Sequence, residues 1–131
     1  MATIKTFREL LVWQKSMDLV EDVYKTMKTF PTEERYGLCD QIRRAAVSIP
    51  SNIAEGFGRD SNADFAHFLT IARGSLFELS TQLEIASRLG YLQPSSGLYP
   101  QVQEIGKMLS SLRTRLKSSP RPHQPTNSLT N

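Results

Sequence analysis

The sequence predicts an all-α fold, an antiparallel up-down-up-down four-helix bundle. Three observations lead there. Glycine and proline cluster at Pro31 and Gly37, at Gly56 and Gly58, and at Gly90, Pro94 and Gly97, so the chain divides into four segments. Each segment repeats its apolar residues at steps of three and four, and none alternates with the period of two that a strand requires. Finally, 131 residues make one domain. A chain of that length buries roughly two-thirds of its unfolded surface, enough for a core without disulfides or a structural metal.

The first segment runs from about Phe7 to Lys28, and its stripe is Leu10, Trp13, Met17, Val20, Tyr24 and Met27. The second runs from about Tyr36 to Gly56, with Leu38, Ile42, Ala45, Ile49 and Ile53 in phase. The third opens at Ser61, with Asp64 three residues later in the manner of a capping box. Its stripe is Phe65, Leu69, Ala72, Leu76, Leu79, Leu83 and Ala86, and Gly90 supplies a left-handed C-terminal residue. The fourth starts near Ser95 or Ser96 and carries Leu98, Val102, Ile105, Leu109, Leu112 and Leu116. Helices of this size are each ~30 Å long. The bundle domain spans residues 1–117. Residues 118–131 hold three prolines and one large apolar side chain, too little to bury, and predict a disordered tail.

Helix two has an unusual composition. Beside its apolar stripe runs a second one, Gln41, Arg44, Ser48, Asn52 and Glu55, and on the far side sit Val47 and Ala54, flanked by Arg43. Apolar or small residues nearly all round a helix predict burial on most sides, and a second subunit is the simplest cover. The plainer reading is that Val47 and Ala54 are single exposed apolar residues, which are common. Pro50 lies mid-segment. It removes the N–H that would meet the Ala46 carbonyl and predicts a kink, with Ser48, Ser51 or water serving the freed oxygen. On helix three, Gly74 costs about 1 kcal/mol relative to Ala and predicts close backbone packing as compensation. Arg73 beside it is a phosphate contact or a partner for Glu55 or Glu78.

The net charge is +3, and it is unevenly placed. Residues 1–90 hold 11 basic and 12 acidic side chains, a balance of −1. Residues 91–131 hold Lys107, Arg113, Arg115, Lys117 and Arg121 against Glu104, a balance of +4. Such asymmetry marks an anionic partner, although cations near a helix C-terminus also favour the macrodipole without any ligand. No apolar run approaches the ~20 residues of a membrane span, and the N-terminus lacks an apolar signal core. A single cysteine, Cys39, excludes an internal disulfide and predicts a reducing cytoplasm.

The string Phe30-Pro-x-x-Glu-x-Tyr-Gly-Leu38, followed by Gln41-Ile-Arg-Arg-Ala-Ala-Val-Ser-Ile-Pro-Ser-Asn-Ile-Ala-Glu-Gly56, resembles the bacterial four helix bundle protein family, also called the ribosomal-RNA intervening-sequence protein family. Phe7-Arg-Glu-Leu-Leu-Val-Trp-Gln-Lys15 and the stretch from Phe68 to Leu79 fit it too, so the likeness covers about residues 4–117. The resemblance implies a ring-shaped homopentamer. It also implies kinship with the accessory variability proteins of diversity-generating retroelements, which bind nucleic acid and a reverse transcriptase. Fold kinship alone does not confer that function.

Catalytic and metal chemistry is poorly supplied. A di-metal bundle site needs two Glu-x-x-His pairs and two further carboxylates, and the nearest string is a single Asp64-x-x-His67. His67 and His123 are the only imidazoles, and His123 is in the tail, so no Ser/His/Asp set assembles. Phosphate-binding glycine loops are absent. Cys39 has no adjacent base and reads as a packing residue. The expectation is a non-enzymatic protein with no cofactor.

Three functions compete. In the first, an oligomeric accessory protein binds nucleic-acid backbone through Arg113, Arg115 and Lys117, with Arg43 and Arg44 as second choice. Few exposed aromatics interleave with these cations, so stacking on single strands is not expected. In the second, the oligomer is a scaffold for a partner protein, and Gln41, Ser48, Asn52 and Glu55 are subunit-interface or internal polar contacts. In the third, a cavity between helices binds a small ligand, but large side chains fill the stripes.

Overall fold

The protein is described here by a computed structural model that covers residues 3–118. The expected tail therefore lies almost wholly outside the described residues. Four helices follow one another, α1 (Leu11–Met27), α2 (Leu38–Phe57), α3 (Asn62–Arg88) and α4 (Leu98–Ser118). Short 3-10 turns at Phe7–Glu9 and Thr32–Glu34 precede α1 and α2. No strand occurs among the described residues.

Each helix packs antiparallel on two neighbours, in the cycle α1–α2–α3–α4, with α1 diagonal to α3 and α2 diagonal to α4. Paired side chains fix the directions. Arg43 at the start of α2 lies over the Tyr24 ring near the end of α1. Ser48 of α2 meets Ser75 of α3 at 2.7 Å. Arg113 near the end of α4 reaches Thr70 near the start of α3, and Gln101 near the start of α4 reaches Asp22 near the end of α1.

The helix ends follow local chemistry. The Ser61 hydroxyl accepts the Asp64 N–H at 3.1 Å, as the capping pattern predicts. At the other end of α3, Gly90 sits at φ +83°, Tyr91 N–H bonds the Ala86 carbonyl at 2.9 Å and Gly90 N–H bonds Ser87 at 3.0 Å. Those two bonds are the Schellman closure that glycine permits. Helices α1, α2 and α4 begin later than the periodicity suggests, because Phe7–Glu9 is a 3-10 turn and Tyr36 and Ser96 stay outside the helical ladder.

All seven stripe residues of α3 are buried, as are Ile42, Ala45, Ile49 and Ile53 of α2 and Leu98, Val102, Ile105 and Leu109 of α4. Leu38, Leu112 and Leu116 are half-buried against the same core. Helix α1 corrects the sequence reading. Its buried line is Val12, Ser16, Leu19, Val23 and Met27, and only Met27 was in the expected stripe. The serine hid the true line. Ser16 is fully buried, and its hydroxyl donates to the Val12 carbonyl at 2.7 Å, so it enters the core with its polar group satisfied.

Helix α2 runs unbroken through Pro50. Neither expected hydroxyl serves the Ala46 carbonyl. Ser51 donates to the Val47 carbonyl instead, and Ser48 pairs with Ser75. Close backbone packing also falls elsewhere than expected. A Cβ on Gly74 would meet nothing within 4 Å, whereas one on Gly56 would lie 2.6 Å from Phe68 Cβ and 3.0 Å from Phe65 Cδ1. Gly56 is thus the position where α2 and α3 need a missing side chain. Arg73 pairs with neither Glu55 nor Glu78; its guanidinium lies over the Phe77 ring, 4.9 Å from the centroid.

Candidate nucleic-acid interface

The antiparallel order brings the N-termini of α1 and α3 and the C-termini of α2 and α4 to one end of the bundle. Arg113, Arg115 and Lys117 lie there, and so do Lys5 and Arg8 ahead of α1. None of these five cations has a carboxylate partner among the described residues. Arg113 donates to the neutral Thr70 hydroxyl at 2.7 Å, and Arg8 lies over its neighbour Phe7. Arg59 at the same end is different, since it pairs with Glu55 at 2.9 Å.

The three α4 cations do not form one patch. Residues two apart on a helix point in nearly opposite directions, whereas residues four apart share a face. Arg113 and Lys117 therefore share the side toward α3. Arg115 turns toward α1, where it lines an open groove of about 400 Å³ with Lys107, Leu10, Leu11, Val12, Met108, Ser111 and Leu112.

The second-choice arginines are at the opposite end, apart from this group. Arg44 forms an exposed ion pair with Asp40 at 3.2 Å. Arg43 donates from Nη2 to the Arg35 carbonyl at 3.0 Å while lying over Tyr24. It lines a second open cleft, of about 290 Å³, with Tyr24, Met27, Lys28, Phe30, Pro31, Thr32, Arg35 and Cys39. Cys39 is buried at its floor. That burial pushes its thiol pKa up, with Arg43 acting against the rise and Glu34 adding to it.

The polar stripe of α2 divides in two. Asn52 Nδ2 donates to the Ser48 carbonyl at 2.8 Å and the Ser48 hydroxyl at 3.0 Å, and Ser48 bonds Ser75, so these residues lock the α2–α3 seam. Glu55 instead forms its ion pair with Arg59 on the surface, and Gln41 is exposed.

An outer apolar face lies on the α1–α2 pair. The contact of Arg43 with Tyr24 puts Val47 and Ala54, on the same side of α2 as Arg43, beside the line Trp13, Met17, Val20 and Tyr24 of α1. Met17 is 37% exposed, Tyr24 46% and Val47 39%. The stripe first read for α1 is thus a real second face, half open to solvent, matching the far side of α2.

A model of the 23S rRNA-intervening sequence protein family matches residues 8–111. The chain belongs to this family. A solved structure of a protein of unknown function from the S23 ribosomal protein family of Bacteroides thetaiotaomicron is similar. Its TM-score is 0.74 and its identity 28%, over 79% of this chain and 96% of that one. No curated protein matches the chain.

For this member of the intervening-sequence family, the sequence singles out the cations of α4 and Arg43 but does not show the exposed aromatic rings near the start of α2. Tyr24 was assigned to the core, and Tyr36 drew no functional reading, yet Tyr36 is 85% exposed. The signal was present in Arg35-Tyr36-Gly37, an aromatic between a cation and a helix-breaking glycine. Among the described residues no three His, Cys, Asp or Glu side chains gather as a metal site, and no helix is long and apolar enough to cross a membrane. His67 is exposed, edge-on to Phe68, and His123 lies outside the described residues.

Proposed function

We propose that this protein is a non-enzymatic, self-associating accessory protein that binds nucleic-acid backbone through the basic end of its bundle, in a reducing cytoplasm. The observation that carries the reading is the meeting of Arg113, Arg115 and Lys117 with Lys5 and Arg8 at one end, without carboxylate partners. Cations on several faces of one end suit a partner that wraps or crosses it, and phosphate is the repeating anion that does so. The outer apolar face of α1 and α2 supports self-association, and the resemblance makes a ring of five the form to test first. A reverse transcriptase is the protein partner that the resemblance implies.

The test is a titration of labelled duplex DNA and structured RNA across a salt series, with an Arg113→Gln/Arg115→Gln/Lys117→Gln variant alongside. Each lost phosphate contact removes about 0.9 from the slope of log affinity against log salt on duplex DNA. The variant is expected to bind more weakly on every sequence and to flatten that slope by about 2 to 3. Equal affinity and equal slope would overturn the assignment.

A scaffold for a partner protein is the second reading, favoured by the same α1–α2 face and by the open groove between α1 and α4. It predicts a stable assembly that binds no nucleic acid at low salt.

A further inference from the structure

We propose that the cleft between the end of α1 and the start of α2 holds one unpaired nucleotide of a single strand, with the base on tyrosine and the phosphate among three cations. This rests on the nucleic-acid reading above but uses a different part of the molecule, at the opposite end of the bundle.

Three observations place it. First, the cleft is about 290 Å³, just below the range of roughly 300–1,000 Å³ typical of small-ligand sites, which limits it to a single nucleotide. Second, its rim carries Lys28, Arg35 and Arg43, and no acidic side chain lines it. Lys28 and Arg35 meet no carboxylate among the described residues. Glu33, Glu34 and Asp40 lie nearby in the chain but outside the lining. Glu34 accepts from the Tyr91 hydroxyl at 3.1 Å and from the Leu38 N–H at 3.4 Å, Asp40 holds Arg44, and Glu33 is exposed outside the lining. Third, one aromatic ring lines the cleft and a second follows a lining residue in the chain. The Tyr24 ring is in the lining, with the Arg43 guanidinium 5.8 Å from its centroid. Tyr36 is outside the lining but directly follows Arg35, whose guanidinium is 6.0 Å from the Tyr36 centroid, and its ring is 85% exposed, free to meet a base carried by a strand that enters at Arg35.

A tyrosine that open contributes nothing to the core. Together with cations it has the two parts of a single-strand site, a π-face for any base and positive charge for the backbone. A duplex keeps its bases stacked on one another and cannot offer one to Tyr36. An acidic peptide would satisfy the cations but gives the exposed ring no role.

The experiment measures polarisation of a fluorescein-labelled oligouridylate and of a labelled duplex at low salt. It compares the full chain with Tyr36→Ala, Tyr36→Phe, Arg35→Gln and the triple basic-end variant, and checks the solution mass of each. Tyr36→Ala is expected to weaken oligouridylate binding about five-fold or more, the lower bound for losing one base stack, and to leave duplex binding and mass unchanged. Tyr36→Phe keeps the π-face and retains affinity, whereas Arg35→Gln weakens it. Single-strand binding that survives Tyr36→Ala but is lost in the triple variant would overturn the cleft and leave the basic end standing. No binding of either probe by the unaltered chain would overturn both. Displacement by uridine monophosphate as readily as by the unlabelled strand would reassign the cleft to a free nucleotide. Displacement by polyglutamate that is insensitive to Tyr36→Ala would reassign it to an acidic peptide. Either displacement result overturns the single-strand proposal.

Discussion

The seam between α2 and α3 and the seam between α1 and α4 are built from opposite materials. Small residues and satisfied polar groups close the first. Gly56 lets the helices approach within the reach of Phe65 and Phe68, and Ser48, Ser75 and Asn52 share hydrogen bonds along it. The second is joined at its rim by an exposed ion pair, Lys15–Glu104 at 3.3 Å, and by Gln101 on Asp22 at 2.9 Å, and at the far end it opens into the groove at Arg115. The comparison teaches where the chain can afford exposed chemistry. A closed seam fixes the fold, and the looser one leaves cations and apolar side chains free for partners.

The largest expected effect breaks the closed seam from within. Ile53→Ala removes a fully buried side chain and should cost about 2–5 kcal/mol, read from urea unfolding. Leu112→Ala, in the half-buried lining of the groove, should cost clearly less, because its site already meets water. Equal losses would show that the α1–α4 seam is as tightly built as its opposite.

Next comes the glycine that the closed seam requires. Gly56→Ala places a Cβ 2.6 Å from Phe68 Cβ, too close to stand without a backbone shift, and overpacking of this kind costs about 1–3 kcal/mol. Gly74→Ala should do the reverse. Its Cβ enters open space, so the variant should gain up to about 1 kcal/mol from helix propensity alone. A destabilising Gly74→Ala would reveal a surface packed on that face in the assembled protein.

These glycines also mark how much could be read from the chain itself. Both stood out in the sequence, but propensity reports only the cost of a helical glycine, and the neighbour that justifies it comes from another helix. The α3 stripe was legible residue by residue because no polar residue interrupts it. The α1 stripe was read one face away because Ser16 looks polar, although its hydroxyl is satisfied by Val12 within the helix. Arg113, Arg115 and Lys117 were legible as a charge run, but their spacing of two divides them between faces. The exposure of Tyr36 was not legible, since exposure of an aromatic depends on what the turn at Thr32–Glu34 leaves uncovered.

The smallest effect belongs to the rim of the looser seam. Lys15 and Glu104 are 38% and 51% exposed, so their attraction is screened by water and offset by the entropy of holding two long side chains. Glu104→Gln should change unfolding free energy by less than about 1 kcal/mol, and the difference should vanish at high salt. The variant sharpens the comparison in a second way. Glu104 is the only acidic residue beyond residue 90, so its removal raises the net positive charge of the last third of the chain. Nucleic-acid affinity at low salt should rise slightly while stability barely moves. A marked loss of stability instead would mean that this ion pair, and not the shared core, holds α1 against α4.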